Sequence, residues 1–399
     1  MKSRAGLFAQ KPQFVFQKSY RFWALTLMGI GFITLGVGLF TDPTRAWGNL
    51  LINNFYFTTL ALAGAFFIAV LYVSNAGWWV NLKRVPEAMT SYLPLGLVLM
   101  LLLFFGMHSL YHWTHHDAVL HDPLLQHKSA YLNIPFFFIR MVGYFAIWIF
   151  FCYLFRRISR KQDESNDLKY HRRNVRVSAI FIIIFALTFS FASFDWIMSL
   201  EPHWYSTIFA VYTWASLFLH GLAAITLMVI ILMERGFFGR LLTVDHLHDL
   251  GKLLFAFSTF WAYIWVSQYL LIWYSDIPEE SVYYVVRTDS NWIWLFLLNL
   301  VLNWLIPFVF LMSRAAKRSA MMLKRICVVL LIGYWLDIFL LVAPNVMKGR
   351  NIGIFEILVS LGFGGLFVYV TSRALERAPL ISRGDPYLQE SLHLHQLHQ

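Results

Sequence analysis

The sequence predicts an all-α integral membrane protein with ten transmembrane helices, on three observations. First, 59% of its 399 residues are hydrophobic and only 13% are charged, with a mean hydropathy of +0.60. Soluble domains carry about 25% charged residues, so this chain lacks the charge to cover soluble surfaces of its size. Second, mainly apolar runs of about 20 residues, the length a helix needs to cross hydrocarbon, recur ten times. Third, the basic residues collect in the connections on alternate sides of those runs. Together these exclude a soluble enzyme, a disordered chain and a secreted disulfide scaffold. The net charge of +11 is spread over short loops, which argues against nucleic acid as a partner.

An N-terminal arm, 1–21, opens the chain. It has charges but no apolar core followed by a small-residue cleavage site, so no signal peptide is expected. Spans follow at 22–40, 55–74, 92–110, 132–155, 177–200, 206–233, 250–274, 291–312, 326–343 and 353–371, and a tail runs from 372 to 399. The longest connections, 112–131 and 156–176, are too short to fold as separate domains. An even number of spans puts both termini on one side. That side carries twenty-five connecting Lys and Arg residues, eight of them between 156 and 176. The other has five: Arg45, Lys128, Arg287, Lys348 and Arg350. The positive-inside rule then places both termini in the cytoplasm.

Ionisable groups within spans are functional candidates by default, because charge in hydrocarbon is costly unless paired or hydrated. Asp195 and Arg140 lie ~8 and ~12 Å from the outer ends of adjacent spans at 1.5 Å per residue. They are expected to meet as a buried pair, with helix register as the plain alternative role. Asp337 occupies the ninth span, and both aspartates are followed by proline at +7, Pro202 and Pro344. This spacing suggests a parallel repeat of four helices, spans two to five and six to nine, each ending in the same device. His220 sits mid-span, where it either relays protons or bonds a neighbouring helix. Asp245-His246-Leu247-His248-Asp249-Leu250-Gly251-Lys252 forms an inner mouth dense in titratable groups, or else an ordinary charged helix start. Tyr263, Gln268, Asn299 and Asn303 are expected to bridge toward the middle. Glu356 enters the tenth span from the outer side.

Cysteine and histidine usage limits redox chemistry. Cys152 and Cys327 are too few for an iron–sulfur cluster or a covalent haem motif and are expected to pack as small hydrophobes. One central histidine cannot supply paired axial ligands to two b-type haems. His108-x3-His112-x2-His115-His116 contains the H-x-x-H-H spacing of membrane di-iron enzymes. No second or third histidine box faces the same side, so a partner-contacting polar surface is the preferred reading. HLHQLHQ at 393–399 reads as a solvated tail.

Two stretches carry a family resemblance: FASFDWIMSLEPHWYSTIFAVY (191–212) and HHDAVLHDPLLQHKSAYLNIPFFFIR (115–140). They resemble the F-type membrane subunits of alternative complex III, within the NrfD/polysulfide-reductase membrane-anchor family. The resemblance spans essentially the whole chain. It implies two four-helix bundles (55–200 and 206–343) flanked by single helices (22–40 and 353–371) in a bacterial plasma membrane. It implies a subunit of a quinol:cytochrome c type oxidoreductase in the respiratory chain. Its partners would be an NrfD-like C subunit, an iron–sulfur subunit, c-type haem subunits, a terminal cytochrome oxidase and lipids. The redox cofactors would sit in those partners, and this chain would bind none. Its role would be structural, with proton translocation from Asp245–Lys252, where His246, His248, Asp249 and Lys252 cluster. The path would run through His220 and Gln268 to Asp195 or Asp337, with Glu356 a further candidate. Two other readings stay open: a quinone pocket formed by His108, Arg140 and Asp195, and a secondary transporter.

Overall fold

A computed structural model describes residues 14–165, 167–239, 241–347 and 352–394. Lys2, Arg4, Lys11, Arg240, Lys348, Arg350, His395 and His398, all used in the sequence reading, lie outside the described residues. The protein is an all-α membrane protein, with ten helices among the described residues long and apolar enough to cross a bilayer. They are α1 (Lys18–Thr41), α2 (Pro43–Val73), α3 (Val80–Leu110), α4 (Ile134–Ser165) and α5 (Leu168–Leu200). The second five are α6 (Ile208–Glu234), α7 (Val244–Ser275), α8 (Ile293–Leu311), α9 (Ala320–Val346) and α10 (Ile354–Leu375).

Helices α2 to α5 close into one four-helix ring and α6 to α9 into another, joined where α2 packs on α6 and α9. Helices α1 and α10 pack on each other and lean together on α2. The pair meets through glycine: a Cβ at Gly362 would stand 2.6 Å from the Gly31 Cα. Only glycine lets these backbones approach so closely, the small-residue packing that joins helices in lipid.

Contacts between connections define the two faces. On the tail face, Lys83 bonds Asp385, Asn81 Nδ2 donates to the Leu241 carbonyl and Asp245 pairs with Arg318. On the loop face, Lys128 donates to the Pro202 carbonyl, Trp204 stacks on Tyr283 and Arg45 pairs with Glu356.

The structure adds to or corrects the sequence reading at four places. Helix α2 begins at Pro43 rather than at 55. The polar residues that seemed to precede the span are inside it and partnered across helices. Asn49 donates to Glu356, Trp335 donates to Asn53, and Asn54 bonds both Tyr92 and the Gly96 carbonyl. Lys83 and Arg84, two of the twenty-five connecting basic residues, are buried, with carboxylates of Asp385, Glu87 and Asp163 around them. The tail is not a free arm before its histidine-rich end: Leu380, Ile381, Leu388 and Ser391 are buried, and Ser391 Oγ donates to the Trp78 carbonyl, whereas His393 is exposed. Finally, the two Asp…Pro devices differ. The α-helix of α5 ends at Trp196, directly after Asp195, whereas α9 continues through Pro344.

Candidate functional site

Each bundle buries one aspartate toward the loop face, and the two are held differently. In bundle one, Arg140 on α4 grips Asp195 on α5 with two bonds, Nε to Oδ2 at 2.8 Å and Nη2 to Oδ1 at 2.9 Å. Tyr144 donates its hydroxyl to the same Oδ2 at 3.0 Å. The remaining guanidinium nitrogen donates to the Tyr131 carbonyl, and the guanidinium plane lies over the Tyr131 and Phe136 rings. Such bidentate geometry fixes both position and plane. The expected Arg140–Asp195 pair is therefore present, and it clamps α4 to α5. His108 is exposed at the helix end. Its partners are Thr114 and His115, not Asp195.

Bundle two builds a longer network. Asp337 on α9 is buried and accepts three hydrogen bonds: from Tyr212, from Ser216 Oγ at 2.6 Å and from Asn299 Nδ2 at 2.8 Å. Asn303 Nδ2 donates to Asn299 Oδ1 at 2.6 Å, and Asn303 Oδ1 faces His220 Nε2 at 2.9 Å. His220 Nδ1 lies 2.6 Å from the Ser216 carbonyl. The bonds form a closed ring through Asp337, Asn299, Asn303, His220 and Ser216. Below it, the His220 ring stacks on Tyr334 with centroids 4.3 Å apart, and Tyr334 donates to Thr59 in bundle one.

Local helix geometry explains how these side chains meet. Tyr212, Ser216 and His220 are spaced four apart on α6, so they line one face. Asn299 and Asn303 have the same spacing on α8. That helix contains a π-turn at Val301–Leu305, which follows from Pro307: its ring competes for the space of the Asn303 carbonyl four residues back. Next to Asp337 is a cavity of about 20 Å³ lined by Tyr212, Gln268, Arg287 and Asn299 among others. That volume accommodates about one water. Gln268 Nε2 is buried and without a protein partner there. Arg287, counted in the sequence as a loop charge, is buried in the short helix Pro278–Thr288 and donates to the Tyr283, Leu340 and Leu341 carbonyls.

Hydrogen-bond logic limits the proton positions. A carbonyl only accepts, so the His220 Nδ1 facing Ser216 carries hydrogen. As the amides lie, Asn303 presents an acceptor to Nε2, and Asn299 presents a donor to Asp337. This is self-consistent for an imidazolium and a carboxylate. Asn303 Nδ2 also donates to the Gly333 carbonyl at 3.2 Å. The complementary state, with neutral His220 accepting from Asn303 and protonated Asp337 donating to Asn299, therefore requires both amides to turn over and that bond to break. Both states carry no net charge, and they differ by the transfer of one proton between His220 and Asp337.

The other expected residues lie elsewhere. His246 caps the start of α7 with Thr243 and faces Ser391, Asp245 pairs with Arg318, and Asp249 pairs with Lys252. His248 is buried among them at the tail face. Glu356 takes two 2.6 Å bonds from Arg45 and ties α10 to α2. Tyr263 faces outward, 65% exposed, and takes no part. Asn299 and Asn303 join the network as expected. Tyr212, Ser216 and Arg287 were missed, though the four-residue spacing of Tyr212, Ser216 and His220 is visible in the sequence. Among the described residues, no group of three His, Cys, Asp or Glu side chains is placed to hold a metal ion. No protein-family model matches the chain, and no curated protein matches it.

Proposed function

We propose that the chain is a membrane subunit of a bacterial quinol-oxidising respiratory assembly of the alternative complex III kind, with a proton-loading site in bundle two. The redox cofactors belong to partner subunits: an NrfD-like C subunit's quinone site, an iron–sulfur subunit and c-type haem subunits that feed a terminal oxidase. The tail face is cytoplasmic, in keeping with its excess of basic residues. The membership rests on the resemblance of residues 115–140 and 191–212. The proton-loading role rests on one observation, the closed hydrogen-bonded ring joining Asp337 to His220 through Asn299 and Asn303.

A buried ion pair contributes little net stability, because desolvation offsets most of its attraction. A carboxylate and an imidazole linked through two amides, with two complementary proton placements, are suited to accept and pass on a proton. Exchange with the loop face runs through the water-sized cavity at Gln268. Toward the tail face, Thr226 on α6 has a buried hydroxyl without a partner, ~9 Å beyond His220 at 1.5 Å per residue. It is the next polar stop before the Asp245–Lys252 mouth. Arg140–Asp195 serves as a clamp.

The test is purification of the chain with its partners, reconstitution into vesicles and measurement of proton uptake per electron for Asp337→Asn and His220→Leu. Reduced uptake with electron transfer retained supports the relay. Unchanged uptake in both variants overturns it. Purification of the chain alone, free of haem- and iron–sulfur-bearing partners, overturns the assembly and favours a transporter.

A further inference from the structure

A different part of the molecule has the features of a ligand site. Between α6, α2 and α10, at the tail face, lies an apolar cleft of about 350 Å³ walled by Phe14, Phe16, Leu60, Leu232 and Phe367. A second cavity of about 410 Å³ shares Tyr56, Phe57, Leu227 and Leu331 with it, so the two form one continuous groove. The second opens sideways between α9 and α10, past the exposed side chains of Val328, Ile332, Ile357 and Leu361. A groove this apolar does not hold water, which needs several polar partners per molecule. The lateral opening faces the region that acyl chains occupy.

Two polar groups line the tail-face end. Arg235 follows the last turn of α6, with its guanidinium 4.0 Å from the Tyr20 ring centroid and no carboxylate within ion-pair distance among the described residues. Thr371 on α10 is buried, and its hydroxyl has no hydrogen-bond partner. Helical Ser and Thr side chains commonly bond the carbonyl four residues back, and Thr34, Thr59 and Thr213 all do so here. Thr371 does not, although leaving a buried hydroxyl unpaired costs ~1–3 kcal/mol. Thr371 lies four residues inside the end of α10, ~6 Å deeper than its terminus.

We infer that this groove is a binding site for one anionic phospholipid. An acyl chain fills the groove and leaves by the α9–α10 opening. The phosphate meets Arg235, and the glycerol ester carbonyl, about one helical turn deeper, accepts from Thr371. A quinone has no charge for Arg235 to neutralise, and a zwitterionic lipid would bring a second cation against it. Glu376, the nearby carboxylate, is already engaged by the Phe16 N–H and by Arg373.

Native mass spectrometry of the full chain, with any partners that co-purify, tests the inference after exchange into phosphatidylglycerol or phosphatidylcholine at matched ratios. One phosphatidylglycerol is expected to stay bound per chain, at least tenfold in preference to phosphatidylcholine. Arg235→Gln is expected to abolish that preference, and Thr371→Val to weaken retention of both lipids. Filling the groove with Ala224→Phe is expected to abolish retention altogether. Equal retention of the two lipids, an unchanged preference in Arg235→Gln, or a quinone bound in place of phospholipid overturns it.

Discussion

Lys83 Nζ lies 3.0 Å from Asp385 Oδ2, and both side chains are removed from solvent. The contact fastens the C-terminal segment beneath the first turn of α3. The lysine also stands over the Tyr72 and Trp79 rings, so it cannot swing out to water without dismantling an aromatic wall. Asp385→Asn therefore leaves a buried charge uncompensated, a change that typically costs ~3–5 kcal/mol. We expect the segment from 376 onward to detach and become sensitive to protease in Asp385→Asn, while the wild-type segment resists. Lys83→Met with Asp385→Leu is expected to recover much of that resistance.

The Arg140–Asp195 clamp predicts a similar asymmetry. Asp195→Leu alone strands the guanidinium between the Tyr131 and Phe136 rings, and Arg140→Leu alone strands the carboxylate. Either single variant is expected to lose ~3–5 kcal/mol, and the double variant much less than the sum. Thermal unfolding in detergent measures all three. Equal and additive losses would show that the two side chains contribute independently.

Crowding at the α1–α10 crossing gives a purely steric prediction. Gly362→Val drives a side chain into the Gly31 backbone and is expected to cost at least the ~1–3 kcal/mol typical of overpacking. Gly36→Ala, on the same helix as Gly31 but with open space at its Cβ position, is expected to be neutral or to gain up to ~1 kcal/mol of helix propensity. Melting temperatures of the two variants should therefore move apart.

The sequence revealed the ten crossings because hydropathy over a span depends little on neighbours. It misplaced helix ends wherever a polar side chain is satisfied by another helix. Asn49, Asn53 and Asn54 look like a loop until Glu356, Trp335 and Tyr92 are seen beside them. Lys83 and Arg84 look like ordinary connection charges for the same reason. The Asp337 network was legible as a set of separate intramembrane polar residues. Its connectivity was not, because Tyr212 and Ser216 are ordinary residues in apolar helices and gain meaning only when α9 brings a carboxylate to them. The histidine-rich 108–127 stretch was equally visible, but among the described residues its histidines draw no carboxylate partner, and its Asp122 pairs instead with His203 outside it.

We propose that Asp337 and His220 share one proton; because the two placements differ by an internal transfer, temperature-jump difference infrared spectroscopy on the reconstituted protein observes it directly. Asp337→Asn identifies the carboxylic-acid band of Asp337. In the wild type that band is predicted to rise as the imidazolium signal of His220 falls, and Asn303→Leu is predicted to break the correlation. His220→Leu is predicted to leave the acid band present throughout, because a buried carboxylate without its cationic partner takes up a proton. An Asp337 band that changes identically in the wild type, Asn303→Leu and His220→Leu would contradict proton sharing.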